Sequence, residues 1–357
     1  MTDPASAALY NRAFGESCWA IDNTSVDDGT LTINGWALRP PGGAQNAVFT
    51  ANGRPFDDQR FPLERGDLGD LFWYRANARD SGYECRTRLT SEELASPAIA
   101  LQFADRATGQ PFDDNHAYYV PTPSSADHGL ALPESPRMLR TTGNDNVTNF
   151  RVTGISTAIK LRNVVNLLQR DFPGLAHVLD WGCGCGRIAR FCADWPGLAG
   201  VDIDADNAQW CSEHLAFADF GPVGLYPPTP FPARRFDLIF GISVMTHLAE
   251  DVQQQWLAEL HRISARYAIV LLTTLGEHAA ARAGLDAAGF TQFINAGSAF
   301  FRTAEAIDDA LGSPGYYGTT FMTHDEIRRK WSRWFSVDRI IPAYVGNHQD
   351  LVVLRRR

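Results

Sequence analysis

No stretch of this 357-residue chain approaches the ~20 consecutive apolar residues that span a bilayer as a helix. Clustered positive charge is scarce as well. Thirty-two basic residues stand against 41 acidic ones, a net charge of -9, which argues against long contact with a nucleic-acid backbone. The six cysteines, Cys18, Cys85, Cys183, Cys185, Cys192 and Cys211, contain no Cys-x-x-Cys pair. Neither a disulfide framework nor a zinc site is indicated, and no metal is assigned. The opening "MTDPASAALYNRAFGES" has neither the basic nor the apolar region of a secretory leader. These absences together read as a cytoplasmic protein with reduced thiols. What is present, 45% hydrophobic and 20% charged residues, is the composition of a folded chain, and the length calls for two cores.

From about Asp22 to Pro121, within a first unit read as residues 15–121, the apolar pattern has period two. "TLTINGWAL" puts Leu31 and Ile33 on one face and "AIALQF" does the same with Ile99, Leu101 and Phe103, as half-buried strands do. Asn52-Gly53 and Thr108-Gly109 suit tight turns. A β-sandwich is the simplest assembly of such strands. Residues 122–136, rich in Pro and Ser, read as a linker. Residues 137–357 have another grammar. "STAIKLRNVVNLLQRDFPG" reads as an amphipathic helix. After it "HVLDWG", "LAGVDID", "FDLIFGISV" and "YAIVLLTTL" read as strands, alternating with "GRIARFCADW", "ADNAQWCSEHLAF" and "EDVQQQWLAELHRIS" as helices. That alternation predicts a parallel α/β sheet covered on both faces. "FSVDRIIPAYV" and "QDLVVLRR" close the chain as a hairpin, and residues 277–320 form an insert rich in aromatics with no clear strand.

The run "DWGCGCGRIA" follows the first strand of this half. In an open parallel sheet the ligand lies beyond the carboxyl ends of the strands, and glycines at 182, 184 and 186 let it approach the main chain. Two cofactor classes fit. From Gly184, "GCGRIA" satisfies the dinucleotide pattern, with Asp204 20 residues on as a ribose-binding acid. Asp180 weighs against that reading, because a carboxylate beside the loop repels a pyrophosphate and suits the ammonium and sulfonium of S-adenosylmethionine. Asp202, ending the next strand, is placed to accept from ribose hydroxyls.

In "VLDWGCGCGR", "GVDID", "FDLIFGISVMTHL" and "QDLVVLRR" the chain resembles the class I S-adenosylmethionine-dependent methyltransferases, from about Phe150 to the C-terminus. The resemblance implies a Rossmann-like seven-stranded sheet whose last strand, Gln349 to Arg356, is antiparallel. It also implies S-adenosylmethionine as cofactor, with Asp180, Gly182, Cys183, Gly184 and Gly186 near its methionine part. Asp202 and Ile203 then lie at the ribose, Ser243 beyond the fourth strand, and Arg151 and Gly154 in an upstream segment over the carboxylate. No acid precedes Asp237 where many relatives place one near adenine, leaving Leu225 or Tyr226 for that base. Residues Gly15 to Pro121, through "INGWALRPPGG", "ANGRPF" and "SGYECRTRL", are similar to a β-sandwich module found ahead of methyltransferase and glycosyltransferase domains in bacterial surface-glycan pathways.

A hydroxyl acceptor needs a base. His247, after the fourth strand, either takes that proton or orients its loop. Glu277, His278, Tyr316 and Tyr317 of the insert are candidates for the acceptor. His324 reads as a helix-start residue behind the N-cap Thr323, His348 as a solvated turn residue, and Trp36 as a platform for a sugar. The resulting reading is a methyltransferase acting on an oxygen of a sugar or glycan precursor, with no nucleic-acid partner and with a homo-oligomer allowed. Its rivals are methylation of a small metabolite, an NAD(P)-dependent oxidoreductase, and a non-catalytic carbohydrate-binding protein.

Overall fold

The Asn52-Gly53 turn forms where the sequence places it, with positive φ at both residues, and it opens one of two small antiparallel sheets. The computed structural model describes residues 4–15, 18–39, 47–112, 117–169, 174–302 and 316–357. After α1 (Pro4–Phe14) come β1 (Cys18–Asp27), β2 (Thr30–Leu38), β3 (Ala47–Ala51), β4 (Arg54–Pro55), β5 (Asp58–Glu64), α2 (Gly66–Leu71), β6 (Asp80–Arg88), α3 (Ser91–Ala95), β7 (Ala98–Asp105) and β8 (Tyr118–Pro121). They pair as β1-β2-β6-β5 and β4-β3-β7-β8. The alternation expected of Leu31 and Ile33, and of Ile99, Leu101 and Phe103, is a burial alternation. All five residues lie in one buried cluster to which both sheets contribute. At α3 the Thr90 side chain accepts from Glu93 N while Glu93 caps Thr90 N, a reciprocal capping box.

The second half runs α4 (Ser135–Thr142), α5 (Val147–Gln169), β9 (Val178–Trp181), β10 (Leu198–Asp202), α6 (Ala205–His214), β11 (Asp219–Pro222), β12 (Phe236–Gly241), α7 (Glu250–Ile263), β13 (Ser264–Thr274), α8 (Glu277–Arg282), α9 (Ala287–Ala296), β14 (Ser298–Arg302), β15 (Gly318–Met322), α10 (His324–Trp331), β16 (Ser336–Val345) and β17 (Gln349–Arg355). The seven-stranded sheet has the order β11-β10-β9-β12-β13-β17-β16. The pairs β10–β11, β9–β10, β9–β12 and β12–β13 are parallel, and β17 is antiparallel to both β13 and β16. The Rossmann-like sheet with its antiparallel last strand is therefore present. Its reversal at β9, with β10 on one side and β12 on the other, puts the crevice at the carboxyl end of β9. Among the described residues no helix is long and apolar enough to cross a membrane.

Four expectations change. The segment "GRIARFCADW" is not an α-helix: it is a chain of turns with one 3₁₀ turn at Ala189–Phe191. Most of its bonds, such as Cys192 N to Ala189 O, span three residues, and Arg190 N to Gly186 O alone among the main-chain bonds here spans four. Helix α5 begins at Val147, ahead of Ser156, because the Asn146 side chain accepts from Asn149 N and caps it there. The insert does contain strands, since β14 and β15 pair antiparallel. Its helices pack on α1 and the N-terminal half. Phe290 stacks on Tyr10 of α1 at 4.4 Å, and Phe290, Phe293 and Ala279 to Ala281 share one buried cluster with Phe14, Trp36 and Phe72. Trp36 is thus 5% exposed with the Arg282 guanidinium over its ring, and no sugar reaches it.

Candidate active site

The loop after β9 is crowded from both sides. Gly182 and Gly184 have φ of 82° and 52°, a region barred to most side chains. A Cβ on the first would collide with Val244 and on the second with Thr141 of α4. The amides of Gly182 and Cys183 donate to Val201 O at 2.8 and 3.0 Å. Asp202 completes the loop: its Oδ2 accepts from Gly184 N at 2.6 Å and its Oδ1 from Asp204 N at 2.8 Å. Burial pushes the Asp202 carboxyl up to about 6, against the lowering effect of those amides.

Two cavities meet here. A narrow one of about 100 Å³ runs over Gly182, Gly184, Asp202, Ile203 and Val223 to Ser243 and His247. A larger one of about 750 Å³ adjoins it and shares Arg140, Thr141, Ser243, His247 and Tyr317. Arg140 reaches from α4 to Asp204 at 2.7 Å, so the narrow cavity is roofed by α4.

Asp180 is not at the mouth of the loop, as the sequence suggested. Its side chain is buried and lines neither cavity, and its Oδ2 has no hydrogen-bond partner. Burial first, and the Asp202 charge second, push its pKa up to about 8, with Arg187 opposing. The cause lies in strand alternation: Leu179 and Trp181 belong to the cluster on the other face of the sheet, leaving Asp180 on the face of Val178. The carboxyl acts on the loop through its field rather than by contact.

His247 stands between the cavities. Its Nδ1 is 2.9 Å from Gly318 O, and since a carbonyl only accepts, Nδ1 carries a proton, so that in the neutral ring Nε2 holds the lone pair. The ring stacks on Tyr317 at 4.2 Å. Tyr316 also lines the narrow cavity, but its hydroxyl donates to Leu225 O and burial pushes it up to about 12. Leu225 O also accepts from Trp256 Nε1, and Tyr226 is 52% exposed. Neither lines a cavity, whereas Val223 lines the narrow one.

Other candidates are placed elsewhere. Arg151 pairs with Asp127 at 2.7 Å, anchoring the segment 122–136 to α5. Gly154 lets α5 pass against Arg187 O, where a Cβ would not fit. Cys183 is buried away from both cavities, its thiol raised by a hydrogen bond to Cys211 and by burial. His278 is buried, its Nδ1 bonded to Phe14 O at 2.8 Å. Glu277 accepts from His324 N through Oε1, and neither Glu277 nor His278 lines a cavity. His324 does start α10 behind the N-cap Thr323, and its Nε2 also lies 2.6 Å from Asp350 Oδ2 and 3.4 Å from Glu277 Oε2. Burial disfavours its charge, but the two acids hold its pKa above the ordinary imidazole value. The trio could ligate a cation by spacing; it serves as a strut between α8, α10 and β17. His348 is half-buried rather than a solvated turn residue. It lines the large cavity, and burial, then the charges of Arg282 and His278, press its pKa down to about 3.

Sequence reasoning missed the α5 wall. Asn149, Thr153, Ser156, Thr157 and Lys160 line the large cavity at spacings of three and four, the signature of one helix face. A polar stripe on an otherwise apolar helix was the available signal.

The dinucleotide reading fails on geometry. A pyrophosphate is held at a helix N-terminus, and no α-helix starts at this loop. Asp204 is engaged by Arg140 and as the N-cap of α6. A cationic nucleoside fits better: a glycine loop without an anion-binding helix end, and a ribose-level acid, Asp202, at the end of β10. Residues 178–266 match the family model described as "Methyltransferase domain". The matched stretch is a methyltransferase domain that contains the glycine loop, Asp202 and His247. Among solved structures it is similar to an S-adenosylmethionine-dependent methyltransferase from Methanosarcina mazei (18% identity, 54% of this chain and 96% of that one, TM-score 0.40). It is also similar to one from Mesorhizobium loti (15%, 55% and 98%, TM-score 0.40). A third is the 1,6-didemethyltoxoflavin-N1-methyltransferase of Burkholderia thailandensis (14%, 69% and 98%, TM-score 0.40).

Proposed function

We propose that this methyltransferase transfers a methyl group to a hydroxyl of a sugar or glycan precursor. The observation that carries this reading is the position of His247, on the wall shared by a cavity over Asp202 and a second cavity lined by hydroxyl and amide groups. Thr142, Asn149, Thr153, Ser156, Thr157 and Gln349 line that second cavity; the hydroxyl protons of Thr142, Thr153 and Thr157 go to main-chain carbonyls, which leaves oxygen lone pairs for the hydroxyls of a sugar.

The cofactor, when bound, supplies an electrophilic methyl on a sulfonium. Asp202 accepts from its ribose hydroxyls through lone pairs left after the Gly184 and Asp204 amides. His247 receives the acceptor's proton at Nε2, with Gly318 O fixing the tautomer, and general-base help of this kind is worth ~100-fold or more. Alignment of the two reactants between α4, α5 and the loop contributes the larger share, ~7 kcal/mol or more in well-oriented systems.

The same proposal divides the chain as 15–121, 122–136 and 137–357, with an insert at 277–320. The first unit is read as a β-sandwich accessory module, which supports an acceptor from surface-glycan synthesis and a cytoplasmic site of action. Tyr118 of β8 lines the large cavity, so this unit faces the acceptor directly. To test the reading, the full chain is incubated with methyl-labelled cofactor and a panel of free sugars, sugar phosphates, nucleotide sugars and phenolic metabolites. Label appearing in a sugar supports it, and label only in the phenols replaces it with the small-metabolite reading.

A further inference from the structure

The strut formed by Glu277, His324 and Asp350 is also a set of metal-ligand atoms. His324 Nε2 lies 2.6 Å from Asp350 Oδ2 and 3.4 Å from Glu277 Oε2, and one ligand atom from each residue lies within 4.8 Å of the other two. The outer oxygens are already committed: Glu277 Oε1 accepts from His324 N at 3.1 Å and Asp350 Oδ1 from Ala343 N at 2.8 Å. Each carboxylate is thereby fixed with its second oxygen toward the imidazole. Glu277 Oε2 is buried and makes no hydrogen bond. The Asp350 side chain is fully buried, whereas those of Glu277 and His324 are each 26% exposed, which leaves a way in from solvent. Among the described residues no Lys or Arg pairs with either carboxylate. Gly276 has an extended backbone that any residue adopts, so glycine is explained here by space. A Cβ at that position would collide with Asp350 Oδ2 and crowd His324 Nε2.

Two carboxylates thus face a single imidazole. The short helices opened by Glu277 and His324 offset this with partial charges of at most about half a unit each, less than the carboxylates bring, and an uncompensated charge in a largely buried place is costly. We propose that Glu277, His324 and Asp350 hold a divalent transition-metal ion, zinc or manganese, as a structural clamp between α8, α10 and β17. One imidazole with two carboxylates suits a first-row transition ion, whereas magnesium and calcium take oxygen ligands. On binding, the proton that His324 Nε2 shares with Asp350 Oδ2 is displaced, and the neutral ring keeps its proton on Nδ1. Metal–ligand bonds of about 2.0–2.2 Å set neighbouring ligand atoms about 3–3.5 Å apart. The Glu277–His324 spacing already fits, and the His324–Asp350 spacing has to open slightly. No motif in the sequence announces this site, because its ligands come from three separate elements and share no short spacing. Gln349, next to Asp350, lines the large cavity and donates to Ser243 Oγ at 2.7 Å, so the clamp steadies a wall of that cavity without entering it. The inference does not depend on which acceptor is methylated.

The test is calorimetry on the untagged full chain after dialysis against EDTA, titrated in turn with zinc, manganese and magnesium chloride. One equivalent of zinc or manganese binds, magnesium binds ~100-fold or more weakly, and the bound transition ion raises the melting temperature. Glu277→Gln keeps the shape of the side chain and removes its charge, and His324→Gln removes the nitrogen ligand. Each lowers the affinity ~10-fold or more and takes away most of the metal-dependent rise in melting temperature. Binding of zinc and manganese no tighter than ~1 mM overturns the inference. So does an affinity unchanged in both variants when they melt, without metal, as the parent does. Magnesium binding more tightly than either transition ion overturns it as well.

Discussion

Arg140 Nε lies 2.7 Å from Asp204 Oδ2, with the two side chains 19% and 6% exposed. Helix α4 is thereby fastened to the N-terminus of α6 across the cofactor cleft, and Thr141, next in the chain, lies against Gly184. Arg140→Ala leaves a buried acid with only Asn207 to satisfy it, at a cost of about 1–3 kcal/mol. Urea unfolding measures that loss, and titration of S-adenosylhomocysteine should show an affinity lowered by about tenfold or more, as the roof loosens. An unchanged affinity would mean that α4 takes no part in holding the cofactor.

Gly184→Ala must force a side chain both into a left-handed backbone and into Thr141. Destabilisation of about 1–3 kcal/mol is expected from the two together. Paired with Thr141→Ala the space is restored but the φ penalty is not, so the double variant should recover only part of the stability. Full recovery would show that crowding alone requires glycine.

The pH dependence follows from Asp180. Its folded pKa, about 8, lies above the ordinary carboxylate value. From the ordinary value up to about 8 the folded protein keeps a proton that the unfolded chain has lost. Its contribution to stability therefore falls as pH rises through that window. Asp180→Asn should remove this slope and stabilise the empty protein at pH 8, which thermal melts between pH 5 and 9 can read. A melt profile that keeps its slope in the variant assigns the effect to another group.

His247→Ala should slow methyl transfer ~100-fold or more while leaving the affinity for S-adenosylhomocysteine within about threefold. Single-turnover rates against pH separate two roles. A base gives a rate limb that vanishes in the variant, whereas a ring that only supports Tyr317 leaves the limb in place.

Much of the sheet was legible because buried parallel strands are short apolar runs, and the runs at 178–181, 198–202, 236–241 and 264–274 have no other use. The edge strand β11 was not, since "DFGP" carries Gly and Pro, which are poor strand formers. The glycine turn after β9 and the place of Asp202 at the end of β10 were visible in the sequence. The facing of Asp180 was not, because four residues of strand do not say which face the next helix covers. Glu277 and His278 looked accessible from their place after β13, but Phe14 and His324, distant in sequence, claim them. The turn-rich path after Gly186 has the apolar content of a helix and lacks its bonds, and only the approach of α5 at Gly154 accounts for the space it keeps.

The most direct test of the central claim, that this glycine loop beside a buried carboxyl receives a cationic sulfur nucleoside, is calorimetry at pH 7 with S-adenosylmethionine and with NAD in two buffers of different ionisation enthalpy. The account predicts binding of S-adenosylmethionine with release of a proton from Asp180, lost in Asp180→Asn, and no heat from NAD. Binding of NAD in place of S-adenosylmethionine would contradict it.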